Sequence, residues 1–139
     1  MTSYHHLKDF GDFGESYTRE LLESMGIVVT NSCRADLKLG GVDIEVKIAE
    51  RSILNPKRCK GYQFCLRRDG HTEFDADFLV CLCSPDGLEV TDAYVIPRSG
   101  VDHKKKLVIP TENYHGKWAI YHDAWGLILE HPDVEWTSR

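Results

Sequence analysis

Two runs of alternating apolar and polar residues, separated by Gly40-Gly41, constrain this chain more than any other feature. Ala35, Leu37 and Leu39 alternate with Asp36 and Lys38 before the glycines. Val42, Ile44, Val46 and Ile48 alternate with Asp43, Glu45 and Lys47 after them. A period of two sends successive side chains to opposite faces of an extended strand. Two such runs about Gly-Gly predict a β-hairpin with a two-residue turn. Counting outward from the turn sets Leu39 opposite Val42, Lys38 opposite Asp43, Leu37 opposite Ile44 and Asp36 opposite Glu45. One face of the hairpin is then apolar and needs a core, while the other collects charge.

The opposed pairs on the charged face differ in kind. Lys38 and Asp43 have opposite sign and read as a structural pair. Asp36 and Glu45 have the same sign, and directly opposed residues hold their Cβ atoms about 4.5–5.5 Å apart. Two carboxylates at that spacing destabilise the hairpin unless something neutralises them. A divalent cation does so through oxygen ligands. Lys47 lies two residues beyond Glu45 and projects from the same face. An ammonium there can hold a water, help to deprotonate it and neutralise an attacked phosphate.

The flanking sequence predicts an α/β scaffold. Phe10, Phe13, Tyr17, Leu21 and Met25 recur at helical spacing, so a helix is expected over 12–25, with Gly26 as its C-cap. Asp12 and Glu15 have the spacing of a capping box, an alternative role for Glu15. Short strands are expected over 27–30, 61–67, 78–83, 93–96 and 107–109, the continuously apolar 78–83 as a central one. Residues 49–60 read as irregular, with Pro56 breaking any long helix. Residues 118–129 have mixed periodicity and should pack Trp118, Tyr121 and Trp125 on the core. The 139 residues suit one domain, with a core over about 9–100 and an extension over 101–139.

Composition excludes some classes and leaves others open. No run approaches the ~18 apolar residues of a membrane helix, and the first nine residues lack the apolar centre of a signal peptide. A cytoplasmic protein of a bacterial or phage-infected cell is expected. Five cysteines without a CxxC pair argue against structural zinc, and Cys81 and Cys83 read as buried thiols. The seven histidines show no metal spacing. A net charge of −5 does not announce a nucleic-acid partner, so any such contact must come from local patches. Lys57, Arg58, Lys60, Arg67 and Arg68 form one candidate, and Lys104-Lys105-Lys106 a second.

Asp36, eight intervening residues and then Glu45-Val46-Lys47 resemble the signature of the PD-(D/E)XK nuclease superfamily. A preceding helix opening with Gly14-Glu15, Gln63 after the lysine, Ala76-Asp77-Phe78 and Tyr94-Val95-Ile96-Pro97 extend the resemblance over about residues 9–100. Ala35 stands where proline precedes the aspartate in the signature. The resemblance implies a restriction-endonuclease-like mixed central sheet of about five strands flanked by helices. It implies a DNA endonuclease using Mg²⁺ or Mn²⁺, of homing type, with a Holliday-junction resolvase or restriction-type enzyme as alternatives. Asp36, Glu45 and the Val46 carbonyl would bind the metal, Glu15 would join through water, Lys47 would position the attacking water, and Gln63 would orient Lys47 or a phosphate. So small a chain has little surface for a long site, and a homodimer or tetramer is expected. A DNA-binding module without catalysis is the alternative from a different class.

Overall fold

The computed structural model describes residues 3–54, 59–66, 75–101, 104–111 and 114–138, with side chains from residue 9 onward. Helix α1 spans Ser3–Ser24, beginning well before the expected start. Asp12 therefore lies inside the helix and cannot be its N-cap, which removes the capping-box role for Glu15. The end of α1 matches the expectation. Gly26 takes φ 95°. The Ile27 N–H donates to Leu22 O and the Gly26 N–H to Glu23 O, the two bonds of a Schellman cap.

Five strands form the main sheet in the order β1-β2-β3-β6-β7. They are β1 (Thr30–Asn31), β2 (Leu37–Leu39), β3 (Val42–Glu50), β6 (Phe78–Ser84) and β7 (Asp92–Pro97). The hairpin register is the one the alternation dictates: Leu39 faces Val42, Lys38 faces Asp43 and Leu37 faces Ile44. Gly40 has φ 73° and Gly41 is not in the positive region, which suits a type II′ turn with glycine at its first central position. The sheet is mixed, because β3 runs parallel to β6 and the other neighbours are antiparallel. A parallel pair needs a long crossover, and here strands fill part of it. Strands β4 (Ser52–Leu54), β5 (Cys59–Cys65) and β8 (Lys106–Pro110) make a second sheet in the order β4-β5-β8. The expectation of irregular chain over 49–60 is corrected: β3 continues to Glu50 and β4 follows at once, while 55–58 lie outside the described residues.

The main sheet is covered on both faces. Leu37, Leu39, Val42, Ile44 and Val46 share one cluster with Leu22 of α1, Val80, Leu82 and Val95. Tyr62, Phe64, Leu107 and Ile109 of the second sheet share the other with Leu79, Cys81, Cys83 and Ile96. Every residue of β6 is buried, as a strand with packing on both faces requires. Short helices α2 (Arg98–Val101) and α3 (Gly126–Leu129), with a 3₁₀ turn at Ala119–Tyr121, complete the described fold. Trp118 is buried, while Tyr121 and Trp125 pack partly buried against the two clusters. The 27–30 segment behaves differently from expectation. Only Thr30 and Asn31 join the sheet, while Ile27 and Val28 pair with Trp136 and Glu135 of the tail.

Candidate active site

Strand β3 has one neighbour over part of its length. β2 covers it only from Val42 to Ile44, so the edge beyond Ile44 is open on that side. Asp36 sits where β2 begins. Its N–H donates to Ile44 O at 3.0 Å, and its Oδ2 accepts the Val46 N–H at 2.7 Å. A side-chain oxygen thus replaces the next rung of the ladder. The expected pairing of Asp36 opposite Glu45 is corrected: the register ends at Leu37 opposite Ile44, and Asp36 lies just outside it, bonded to Ile44 and Val46 instead. In an extended strand the N–H and C=O of one residue point to the same edge. The Val46 carbonyl therefore faces the open edge with its N–H.

Helix α1 closes the other wall. Gly14, Thr18 and Leu22 are its buried seam, with Thr18 Oγ1 donating to Gly14 O at 2.9 Å. An added Cβ at Gly14 would meet Ile48 Cγ2 at 3.1 Å and Ile48 Cβ at 3.2 Å. Glycine here lets the helix lie on β3 and brings the next residue, Glu15, over the strand edge. The wider stripe of Phe13, Tyr17, Leu21 and Met25 flanks this seam and is half-buried. Gly14 is the positioning residue that the apolar pattern did not single out. Its signal was the i, i+4, i+8 spacing of Gly14, Thr18 and Leu22, small polar and apolar residues on one line.

Phe10, Gly11, Glu15, Asp36, Glu45, Val46, Lys47 and Ile48 enclose a cleft of about 380 Å³. Lys47 Nζ lies 3.2 Å from Glu45 Oε2, both side chains partly exposed. Burial raises the Asp36 carboxyl from its ordinary value, opposed by the Val46 hydrogen bond and the Lys47 charge. Glu15 is also raised, first by burial and then by the charges of Asp36, Asp12 and Glu45, with Arg19 partly offsetting them. Among the described residues no three His, Cys, Asp or Glu side chains already stand in a metal-holding arrangement. Asp36 is turned to a backbone N–H and Glu45 to an ammonium.

The solved structure of a bacterial homing endonuclease, I-Ssp6803I, superposes on this chain with a TM-score of 0.59 and 20% sequence identity. The match covers 88% of this chain and 92% of that one. The two chains share a fold. No protein-family model and no curated protein matches the sequence.

Not every candidate residue reaches the cleft. Gln63 is exposed on β5, on the side opposite Tyr62 and Phe64, whose side chains pack toward the main sheet. The structure does not bring it to Asp36, Glu45 and Lys47. Strand alternation explains this: between two core residues, position 63 must face outward. Lys60 is exposed at the other end of β5, beside Arg51, Ser52, Ile53 and Pro85 around a cavity of about 240 Å³. Lys57, Arg58, Arg67 and Arg68 lie outside the described residues. Asp43 stands opposite Lys38, but its carboxylate accepts Ser32 Oγ–H at 2.7 Å. Asp43 is buried and Lys38 exposed, so the hydroxyl and not the ammonium is its partner. The Asp43 N–H donates to Asp77 Oδ2, and Asp77 Oδ1 holds Arg98 at 2.8 Å. These bonds tie β3 to the residue just before β6 and to the first residue of α2, just after β7.

Proposed function

We propose that this protein is a Mg²⁺- or Mn²⁺-dependent endonuclease that hydrolyses DNA phosphodiesters, of homing type. The observation that carries the reading is the gathering of Asp36, Glu45, Lys47, the Val46 carbonyl and Glu15 around one cleft at an open strand edge. The donor set fits a hard divalent cation. It is all oxygen, and two of its carboxyls are held up by burial, Glu15 also by neighbouring negative charge. Asp36, Glu45 and the Val46 carbonyl would hold the cation, with Glu15 adding a contact through water. The cation supplies a Lewis acid and a water of lowered pKa. Lys47, already against Glu45, orients a water on the strand edge and neutralises charge that builds on the attacked phosphate. The Gly14 approach fixes Glu15, and the Val46 N–H fixes Asp36, so both carboxyls are set before substrate arrives.

The shared fold with a homing endonuclease supports DNA as the substrate class and homing as the type. The test is cleavage of plasmid, linear duplex and four-way-junction DNA with Mg²⁺, Mn²⁺ or EDTA, beside Lys47→Ala. Metal-dependent cutting that the variant loses is expected. Cutting that persists in EDTA or in Lys47→Ala overturns the mechanism. Absence of both cutting and calorimetric Mn²⁺ binding points instead to a DNA-binding module without catalysis.

A further inference from the structure

Arg51 and Pro85 stand between two neighbouring cavities, each of about 240 Å³. Neither shares a residue with the cleft of Asp36, Glu45 and Lys47. The first lies between the two sheets, where β6 and β8 end and β7 begins, and is walled by Tyr62, Tyr94 and Tyr114. These rings are set in place. Tyr62 and Tyr94 are buried. The Tyr94 ring meets the Tyr114 ring edge-on at 6.5 Å and the His122 ring at 5.1 Å. Tyr114 Oη accepts the Trp118 N–H at 2.7 Å. Asp92 lines the same cavity. Its Oδ1 meets His122 Nε2 at 2.8 Å, and its Oδ2 accepts the Thr91 hydroxyl at 3.1 Å. A carboxylate has about four acceptor positions, more than these two bonds use. The second cavity is lined by Arg51 and Lys60, both exposed, with Ser52. Thr111 ties the two together: it lines the first, and its N–H and hydroxyl donate to the Lys60 carbonyl at 3.1 and 3.0 Å.

We propose that the two cavities together bind one unpaired nucleotide, its base among the tyrosines and its phosphate on Arg51 and Lys60. The ligand class stands on the cavities; that the nucleotide belongs to a DNA strand rests on the endonuclease reading. Size selects a single ring system. A cavity of about 150 Å³ holds benzene, and pockets for drug-sized ligands start at about 300 Å³, so 240 Å³ suits one base. Aromatic walls stack on the π-face that every base presents. Asp92 reads the edge. A carboxylate only accepts hydrogen bonds, and guanine offers two adjacent donors, N1–H and N2–H, so guanine is the base expected. A paired base spends that edge on its partner and must leave the stack to enter. Arg51 and Lys60 supply charge-assisted donors to the phosphate oxygens. Because Arg51 lines both cavities, the ring site and the anion site are contiguous, as base and phosphate are in one nucleotide.

The test is calorimetric titration in EDTA, which keeps a metal in the cleft from holding the phosphate. The probes are dGMP, deoxyguanosine and two DNA duplexes, one fully paired and one with a single unpaired guanine. The parent should bind dGMP about tenfold or more tighter than deoxyguanosine, the scale of charge-assisted hydrogen bonds. Arg51→Ala combined with Lys60→Ala should erase that difference and leave deoxyguanosine binding unchanged. Tyr114→Leu should weaken both probes by about 5- to 150-fold, the scale of losing a stacking partner. If its melting curve shows Tyr114→Leu unfolded, the exposed Arg51 and Lys60 carry the test. Absence of dGMP binding overturns the proposal, as does a dGMP preference that survives the loss of both cations. The duplexes distinguish the source. Tighter binding of the unpaired guanine, lost in the same variants, assigns the site to a DNA strand; equal binding of the two duplexes overturns that part and leaves a free nucleotide as ligand. The two readings fail separately. If the parent chain cuts DNA but binds no dGMP, the nucleotide site is wrong and the endonuclease stands. If the variants govern nucleotide binding but the parent chain cuts nothing, the site stands and the endonuclease falls.

Discussion

Asp36 shows how one residue carries both structure and chemistry. Its carboxylate replaces a missing ladder bond to Val46, yet its burial raises its pKa. Between the unfolded and folded pKa values the native state binds the extra proton, so stability falls as pH rises through that window. Asp36→Asn removes this penalty and keeps an oxygen that can accept the Val46 N–H. In EDTA at pH 7 the variant should melt above the parent, and the two should converge below the carboxylate range. A lower melting temperature for the variant at pH 7 would contradict the assignment. Catalysis should move the other way, with a loss of about 10²–10³ in turnover, the scale of removing one electrostatic contact. The cysteines give a second test at this scale. Cys33 and Cys65 are exposed, whereas Cys81 and Cys83 are buried. Burial pushes Cys83 up to about 12, with Asp92 adding to it, and burial and the neighbouring Cys83 push Cys81 higher than usual. A thiol reagent should label Cys33 and Cys65 in the native protein and reach Cys81 and Cys83 only after unfolding. Rapid native labelling at position 81 or 83 would rule out the packing described.

At the scale of elements, the site depends on how α1 lies against β3. The contact is set by Gly14 over Ile48, with Leu82 Cδ1 also 3.6 Å from an added Cβ. Gly14→Val would force branched carbons into this seam. The expected cost is about 1–3 kcal/mol from overpacking, measured by urea unfolding. The shift of Glu15 should lower cleavage beyond what the stability loss explains. Full activity in a folded Gly14→Val protein would show that the helix does not position the site.

The whole molecule is closed by its tail. The Gly41 N–H donates to Asp133 O, the Val28 N–H to Glu135 O and the Thr137 N–H to Gly26 O. Val134 is buried. The hairpin turn and the cap of α1 are thus both fastened by residues from the expected extension. Gly40 needs glycine on two grounds: its positive φ, and the Asp133 carbonyl only 2.8 Å from an added Cβ. Deleting residues 131–139 should cost more than about 2 kcal/mol, the scale of losing a buried apolar side chain alone. A melting curve like that of the parent would refute this. Metal should act on the whole molecule by linkage. At a hundredfold excess over its dissociation constant, Mn²⁺ should add about 2.7 kcal/mol, an increase absent in Asp36→Asn. Asp36, Glu45 and Lys47 line one cleft in one chain, whereas duplex cleavage needs two strands cut. A dimer or tetramer is therefore proposed, and a monomer in sedimentation at micromolar concentration would overturn it. Among the described residues no helix is long and apolar enough to cross a membrane.

The hairpin was legible because both its determinants are local. Period-two alternation assigns the faces, and Gly40-Gly41 fixes the register from Leu37 to Ile44. Period-two spacing put Glu45 and Lys47 on one face, where they line a cleft with Asp36, and the apolar run in β6 announced a strand packed on both faces. The Schellman cap at Gly26 was equally local. Other features depended on contacts far apart in sequence. The start of α1 was hidden by an Asp12–Glu15 spacing that imitates a cap. Gln63 resembled a site residue in sequence, but the packing of Tyr62 and Phe64 turned it outward. The separate second sheet required β5 to choose β4 and β8 over the main sheet, a choice strand patterns do not encode. The sequence alone determined the faces and register of the hairpin, since these follow from neighbouring residues. Only the tertiary structure decided which faces met, because that depends on which apolar surfaces find each other once the chain has closed.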